Sequence, residues 1–144
     1  MVPQNLYYTK DHEWAEINGD VAIIGITDYA QQSLGEITYV ELPAVKKQVK
    51  AHDILAVVES SKAASDVYSP LAGAVLEVNN ELGAKPELIN QDCYKAGWIC
   101  KIKVAQPAST RSPRFPGEAG LGEAGPDIKN LMNAEKYEQY LKSL

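Results

Sequence analysis

Asn18-Gly19-Asp20 sits between two β-prone runs, Trp14 to Ile17 and Val21 to Ile26. An Asn-Gly pair readily takes the positive backbone angles of a tight two-residue turn, so the pattern demands a hairpin. In the second run Val21, Ile23 and Gly25 share one face, and Ala22, Ile24 and Ile26 share the other. Both faces are apolar, which predicts a strand buried between two layers.

Further short β-prone runs follow. They are Ile37 to Leu42 before Pro43, Ile54 to Glu59, Val67 to Ser69, and Ala74 to Val78. Pro70 and Gly73 turn the chain between the last two. In Trp98 to Val104 the residues Trp98, Cys100, Ile102 and Val104 point one way, with Lys101 and Lys103 opposite, as in a half-exposed strand. Helix signals are fewer. Thr27 suits an N-cap, Asp28 a first turn and Gly35 a C-terminal stop, which predicts one short helix over Asp28 to Leu34. Asn79 to Asn90 reads as irregular, with room for one helical turn. From Asp127 a helical period returns, with Ile128, Leu131 and Met132 on one face. Asn133 then caps a second short helix, Ala134 to Lys142.

Many short strands with a little helix predict a mainly β fold, a compact sandwich or partly open barrel, with the C-terminal helices on its outside. The chain has 144 residues, which suits a single domain with its own core. It divides into a β domain (1–104), a surface loop insert rich in Pro and Gly (105–126) and the terminal helices (127–144). The insert holds Pro107, Pro113, Pro116 and Pro126 and a repeated Gly-Glu-Ala-Gly.

Charge removes some function classes. Asp and Glu number 19 against 14 Lys and Arg, which disfavours non-specific nucleic-acid binding. No apolar run approaches a membrane span. The polar N-terminus lacks the features of a secretory signal or transit peptide, so the expected location is cytoplasmic, or mitochondrial for a trimmed imported chain. Cys93 and Cys100 make no disulfide framework, and His12 and His52 stand too far apart for metal-ligand spacing. The two cysteines read as small core or surface residues. No phosphate-cradling glycine loop or nucleophile elbow is present.

One hairpin tip stands out. In Glu59-Ser60-Ser61-Lys62-Ala63-Ala64-Ser65-Asp66, the lysine is surrounded by small residues and flanked by acids. Another protein's pocket could engulf such an open lysine. From the residues alone, the simpler reading is a solvated surface charge.

The wider pattern Val58-Glu59-Ser60-Ser61-Lys62-Ala63-Ala64-Ser65-Asp66-Val67-Tyr68-Ser69-Pro70 resembles the lipoylation motif of the glycine cleavage H-protein family. His12-Glu13-Trp14, the run Ile24 to Gln31, Leu34-Gly35-Glu36, Glu41-Leu42-Pro43, Glu77-Val78-Asn79, Pro86-Glu87-Leu88-Ile89-Asn90 and Gly97-Trp98 also match it, in order and spacing. The departures are Ser61 where the family often has Val, Cys93 where it commonly has Pro, and the insert. Related biotin domains usually set their lysine between methionines. Lipoyl domains of 2-oxo acid dehydrogenases usually show Asp-Lys-Ala and are shorter.

The resemblance implies a barrel-sandwich hybrid of lipoyl/biotinyl type. It implies lipoic acid in amide linkage to Lys62, with Glu59 and Gly73 helping the lipoylating enzyme, a lipoate ligase or lipoyltransferase, to recognise the domain. It implies a carrier rather than an enzyme. The arm would take an aminomethyl group from a pyridoxal-phosphate glycine decarboxylase and deliver it to a tetrahydrofolate-dependent aminomethyltransferase. Dihydrolipoyl dehydrogenase would then reoxidise the dithiol. Glu13 and Asp66 match positions of a cleft in which carboxylates pair with the loaded arm's ammonium. The alternative for both is a solvated acid.

Other readings stay open at this level. An H-like lipoyl relay protein serving other pathways would look the same around Lys62. A lysine-dependent aldolase needs a desolvated amine, which this tip disfavours. A purely structural domain would leave Lys62 unmodified. Trp14 reads as core and His12 as structural. His52 reads as a surface residue, and Arg111 and Arg114 as loop charges.

Overall fold

The computed structural model describes residues 2–104 and 131–144. The insert at 105–126, with Arg111 and Arg114, and the start of the expected helix at Asp127 lie outside the described residues.

Strands β1 (Tyr7–Tyr8), β2 (Glu13–Asn18), β3 (Val21–Ile26), β4 (Ile37–Glu41), β5 (Gln48–Val49), β6 (Ile54–Ser60), β7 (Ala64–Tyr68), β8 (Gly73–Val78) and β9 (Cys100–Val104) form two sheets. One sheet runs β1-β2-β3-β9-β8-β5 and the other β4-β6-β7. All the pairings are antiparallel. This is the expected mainly β, barrel-sandwich architecture. The hairpin at Asn18-Gly19-Asp20 forms as predicted, with Asn18 opposite Val21 and Gly19 at φ 63°. Strands β1 and β5 have only two residues each, too short to leave a period in the sequence.

The inner faces of both sheets make one core. Ala22, Ile24 and Ile26 of β3 and Cys100, Ile102 and Val104 of β9 meet Val40 of β4, Val58 of β6 and Val67 of β7. Both cysteines are free and buried. The other face of β2 and β3 carries a second cluster, in which Tyr8, Trp14 and Tyr137 are fully buried and Ile23 packs at the margin. Strand β3 therefore lies between two layers, as its two apolar faces predict.

Helix α1 (Asp28–Leu34) starts and stops as expected. Thr27 Oγ1 accepts from the Ala30 N–H, and the Gly35 N–H donates to the Gln31 carbonyl. Asn79 to Asn90 is more regular than expected, with two helical turns, α2 (Glu81–Ala84) and α3 (Leu88–Gln91). Helix α4 (Ala134–Lys142) is capped by Asn133, whose side chain accepts from the Lys136 N–H.

Two expectations need correction. Leu131 and Met132 are not helical: Met132 exchanges backbone hydrogen bonds with Tyr8 at 2.7 and 2.8 Å. Trp98 does not share the inner face of β9. The chain turns at residues 93–97 before β9 begins at Cys100, and the Asn79 side-chain amide holds that turn by donating to the carbonyls of Ala96 and Trp98. The Trp98 ring joins the second cluster, with Lys101 Nζ 5.2 Å from its centroid.

Candidate functional site

The antiparallel register of β6 and β7 places Glu59 opposite Ala64, so Ser60 and Ala63 close the hairpin and Ser61-Lys62 form its tip. The Ser60 N–H donates to the Ala63 carbonyl at 2.8 Å. Neither tip residue has a positive φ, so this is not one of the primed turns that suit the twist of a hairpin. The Ser60 side chain supplies the missing hold. Its Oγ accepts from the N–H groups of Lys62 at 3.1 Å and Ala63 at 3.2 Å.

Ser61, Lys62, Ala63 and Ala64 are all exposed. Among the described residues Lys62 Nζ has no hydrogen bond or ion pair. Its stem is nevertheless placed. A methyl group on Gly35 would come 3.0 Å from Lys62 Cε and 3.6 Å from Nζ, so the lysine lies across the glycine that ends α1. Gly35 has φ 83°, a conformation that favours glycine. Asn90, on α3, holds this segment. Its amide donates to the Gly35 carbonyl at 2.9 Å and to Gln31 Oε1 at 2.8 Å, while its Oδ1 accepts from the Ile37 N–H at 2.8 Å.

Of the residues singled out from sequence, Glu59 is half-buried on β6, three residues before Lys62 and opposite both Tyr39 and Ala64. Asp66 is exposed on β7, opposite Val57. Gly73 is on the other sheet. It is buried at the start of β8, where a Cβ would run into the backbone carbonyl of Lys103. The close approach of β8 and β9 is by itself a sufficient reason for glycine there.

Glu13 is not a solvated acid: it is 2% exposed. Its Oε1 accepts from the Thr9 hydroxyl at 2.7 Å and its Oε2 from the Tyr68 N–H at 3.0 Å, which joins β2 to the end of β7 across the two sheets. Burial raises its pKa to about 7, against the pull of the two hydrogen bonds. Glu13 and Asp66 thus sit in different settings, one sealed and one open. His12 has the structural role expected of it. Its Nδ1 lies 2.8 Å from the Tyr137 hydroxyl, which is also 2.8 Å from Thr27 Oγ1. Burial lowers its pKa. Trp14 is core, its Nε1 donating to the Cys93 carbonyl at 3.0 Å. His52 is exposed. Sequence reasoning missed the parts played by Ser60, Gly35, Asn90 and Tyr137. Ser60 was legible as a hydroxyl at a turn, but nothing local marks Asn90, which acts 55 residues from Gly35.

A lysine presented on a serine-braced turn between two strands of the smaller sheet is compatible with several carriers. The family model described as "Glycine cleavage H-protein" matches residues 6–117. The chain belongs to the glycine cleavage H-protein family. The glycine cleavage system H protein of Halothermothrix orenii is 44% identical over 143 residues, covering 99% of this chain and 98% of that protein. The probable glycine cleavage system H protein of Pyrococcus horikoshii is 50% identical, covering 99% of this chain and 94% of that protein. The crystal structure of a glycine cleavage system H protein from Mycobacterium marinum superposes with a TM-score of 0.79 at 29% identity, covering 99% of this chain and all of that one. As an H-protein, the chain is a lipoyl carrier of the glycine cleavage system, a non-catalytic component that works with that system's enzymes. The relay alternative is not favoured, since each of these relatives carries the glycine cleavage name. Among the described residues no helix is long and apolar enough to cross a membrane.

Proposed function

We propose that Lys62 is the residue to which lipoic acid is attached, through an amide of its Nζ. The supporting observation is its placement: an exposed amine at a two-residue tip, without a partner to displace among the described residues, between Ser60, Ser61, Ala63 and Ala64. Small neighbours leave room for the pocket of a lipoate ligase or lipoyltransferase. Glu59 stands three residues before the amine on the strand that feeds the turn, where such an enzyme would meet it. Gly73 enters through the packing of β8 on β9. When bound, the lipoyl group supplies a cyclic disulfide that accepts and releases a one-carbon fragment.

The chain's own residues position the arm. Ser60 holds the turn, so that the stem leaves the sheet in one direction. Asp66, open on the strand that leaves the turn, is available to pair with a cationic cargo. Glu13 contributes from behind by fixing the Tyr68 N–H two residues further along. The partners in this reading are a pyridoxal-phosphate glycine decarboxylase, a tetrahydrofolate-dependent aminomethyltransferase and dihydrolipoyl dehydrogenase. The β unit 1–104 carries the site in a single domain.

Intact-mass and peptide analysis of protein from its native cell tests the assignment. It should carry one added lipoyl group, located on Lys62, and a Lys62→Arg chain should carry none. That variant should also lose support of glycine decarboxylation by about a hundredfold or more. An unmodified native chain, or a lipoyl group on another lysine, would refute it.

A further inference from the structure

We infer that Asn90 is a positioning residue for Lys62: it fixes the Gly35 backbone as a platform for the lysine stem and so sets how the amine is presented for acylation. The inference rests on the reading of Lys62 as the attachment point, but its geometry stands independently.

Three observations carry it. Lys62 is exposed, yet its Cε lies 3.0 Å and its Nζ 3.6 Å from where a Cβ of Gly35 would stand. A free lysine end in solvent has no reason to follow a particular surface, and packing the methylene stem while the amine stays wet is the usual compromise for such a side chain. The platform is also built from outside its own segment. Asn90 makes three hydrogen bonds to it, two as donor to the Gly35 carbonyl and Gln31 Oε1 and one as acceptor from the Ile37 N–H. These bonds join the end of α1 to the start of β4, at a point where Gly35 with φ 83° offers no side chain of its own to lock it. Finally, α1 has no basic residue in its last turn, and the cationic end of Lys62 lies beside the glycine that caps it, where a positive charge meets the carbonyl end of the helix favourably.

Ordering a lysine stem in advance removes part of the entropy that an acylating enzyme would otherwise meet on binding. The gain should therefore appear in the apparent affinity for this chain as substrate and less in turnover. Once the amine becomes an amide its charge is gone, and the attraction to the helix end goes with it, which leaves the stem freer to swing.

The experiment compares the full unmodified chain with Asn90→Ala, Asn90→Asp and, as a surface control, Lys85→Ala. With lysines labelled in carbon-13, the wild type should show a nuclear Overhauser contact between the Lys62 Cε protons and the Gly35 Cα protons. It should be lost in Asn90→Ala, while the Glu59–Ala64 cross-strand contacts persist. Asn90→Asp keeps the acceptor to Ile37 but loses both donors, and should fall between the two. With a lipoate ligase and lipoic acid, Asn90→Ala should raise KM for the chain roughly three- to tenfold with kcat little changed, and Lys85→Ala should do neither. A wild type without the Lys62–Gly35 contact, or an Asn90→Ala chain that keeps both the contact and the wild-type KM, would overturn the inference. If Lys62 proves not to be acylated in the wild type, the attachment reading fails, and the platform is then judged by the Overhauser contact alone.

Discussion

At the scale of single residues, Glu13 is the most informative. A carboxyl group 2% exposed holds its proton more tightly than one in water, and here the value rises from the ordinary 4.5 to about 7. Folded chains therefore bind one more proton than unfolded chains between those limits. The stabilisation is complete below pH 4.5 and is lost as pH rises through about 7. Over that interval it amounts to about 3 kcal/mol. His12 acts in the opposite sense, because burial favours its neutral ring and stability from that source falls as pH drops. The difference between the wild type and Glu13→Gln isolates the carboxyl group. Urea unfolding of both from pH 4.5 to 7 should show the wild type losing stability relative to the variant as pH rises, and parallel profiles would count against the sealed acid. The sequence places Glu13 in a motif but cannot show that its oxygens turn inward, since that depends on Tyr68 arriving from another sheet.

Among the elements, the approach of β8 to β9 gives Gly73 a role that its distance from Lys62 in sequence does not suggest. Gly73 pairs with Val104, and an added Cβ would strike the Lys103 carbonyl, a backbone atom unable to move aside cheaply. Gly73→Ala should cost at least about 2 kcal/mol, read as a lowered urea midpoint. A variant of wild-type stability that is nonetheless poorly lipoylated would show recognition to be the main reason for this glycine. The hairpin of β6 and β7 was legible as two strands about a lysine, though the sequence put the second strand at Val67 rather than Ala64. Its first two residues are small, Ala64 exposed and Ser65 half-buried, and backbone pairing with β6 rather than side-chain pattern makes them a strand.

For the whole molecule, the two sheets form the carrier and the C-terminal helix closes its back. Tyr137 of α4 is fully buried and stacks on Tyr8 with centroids 4.6 Å apart, and its hydroxyl reaches both His12 and Thr27. Removing residues 133–144 would uncover Tyr8 and Trp14 and cut the link from α4 to the start of α1. Loss of buried aromatic packing on this scale should cost about 3–5 kcal/mol. Thermal unfolding of a chain ending at residue 132 should show a clearly lower midpoint with the β-sheet circular dichroism retained at low temperature. An unchanged midpoint would mean that α4 is only draped on the surface.

Local patterns in the sequence were enough for the Asn-Gly hairpin, the capped helix over Asp28–Leu34, the alternation of β9 and the exposed lysine between small residues. Each depends on neighbours a few positions apart, where periodicity and turn chemistry act directly. The tertiary structure alone decided which elements meet. It sealed Glu13, kept Met132 out of a helix by pairing it with Tyr8, pulled Trp98 off its strand and brought Asn90 to the glycine beneath Lys62. Those contacts join residues far apart along the chain, and their partners exist only once the two sheets have closed on a common core.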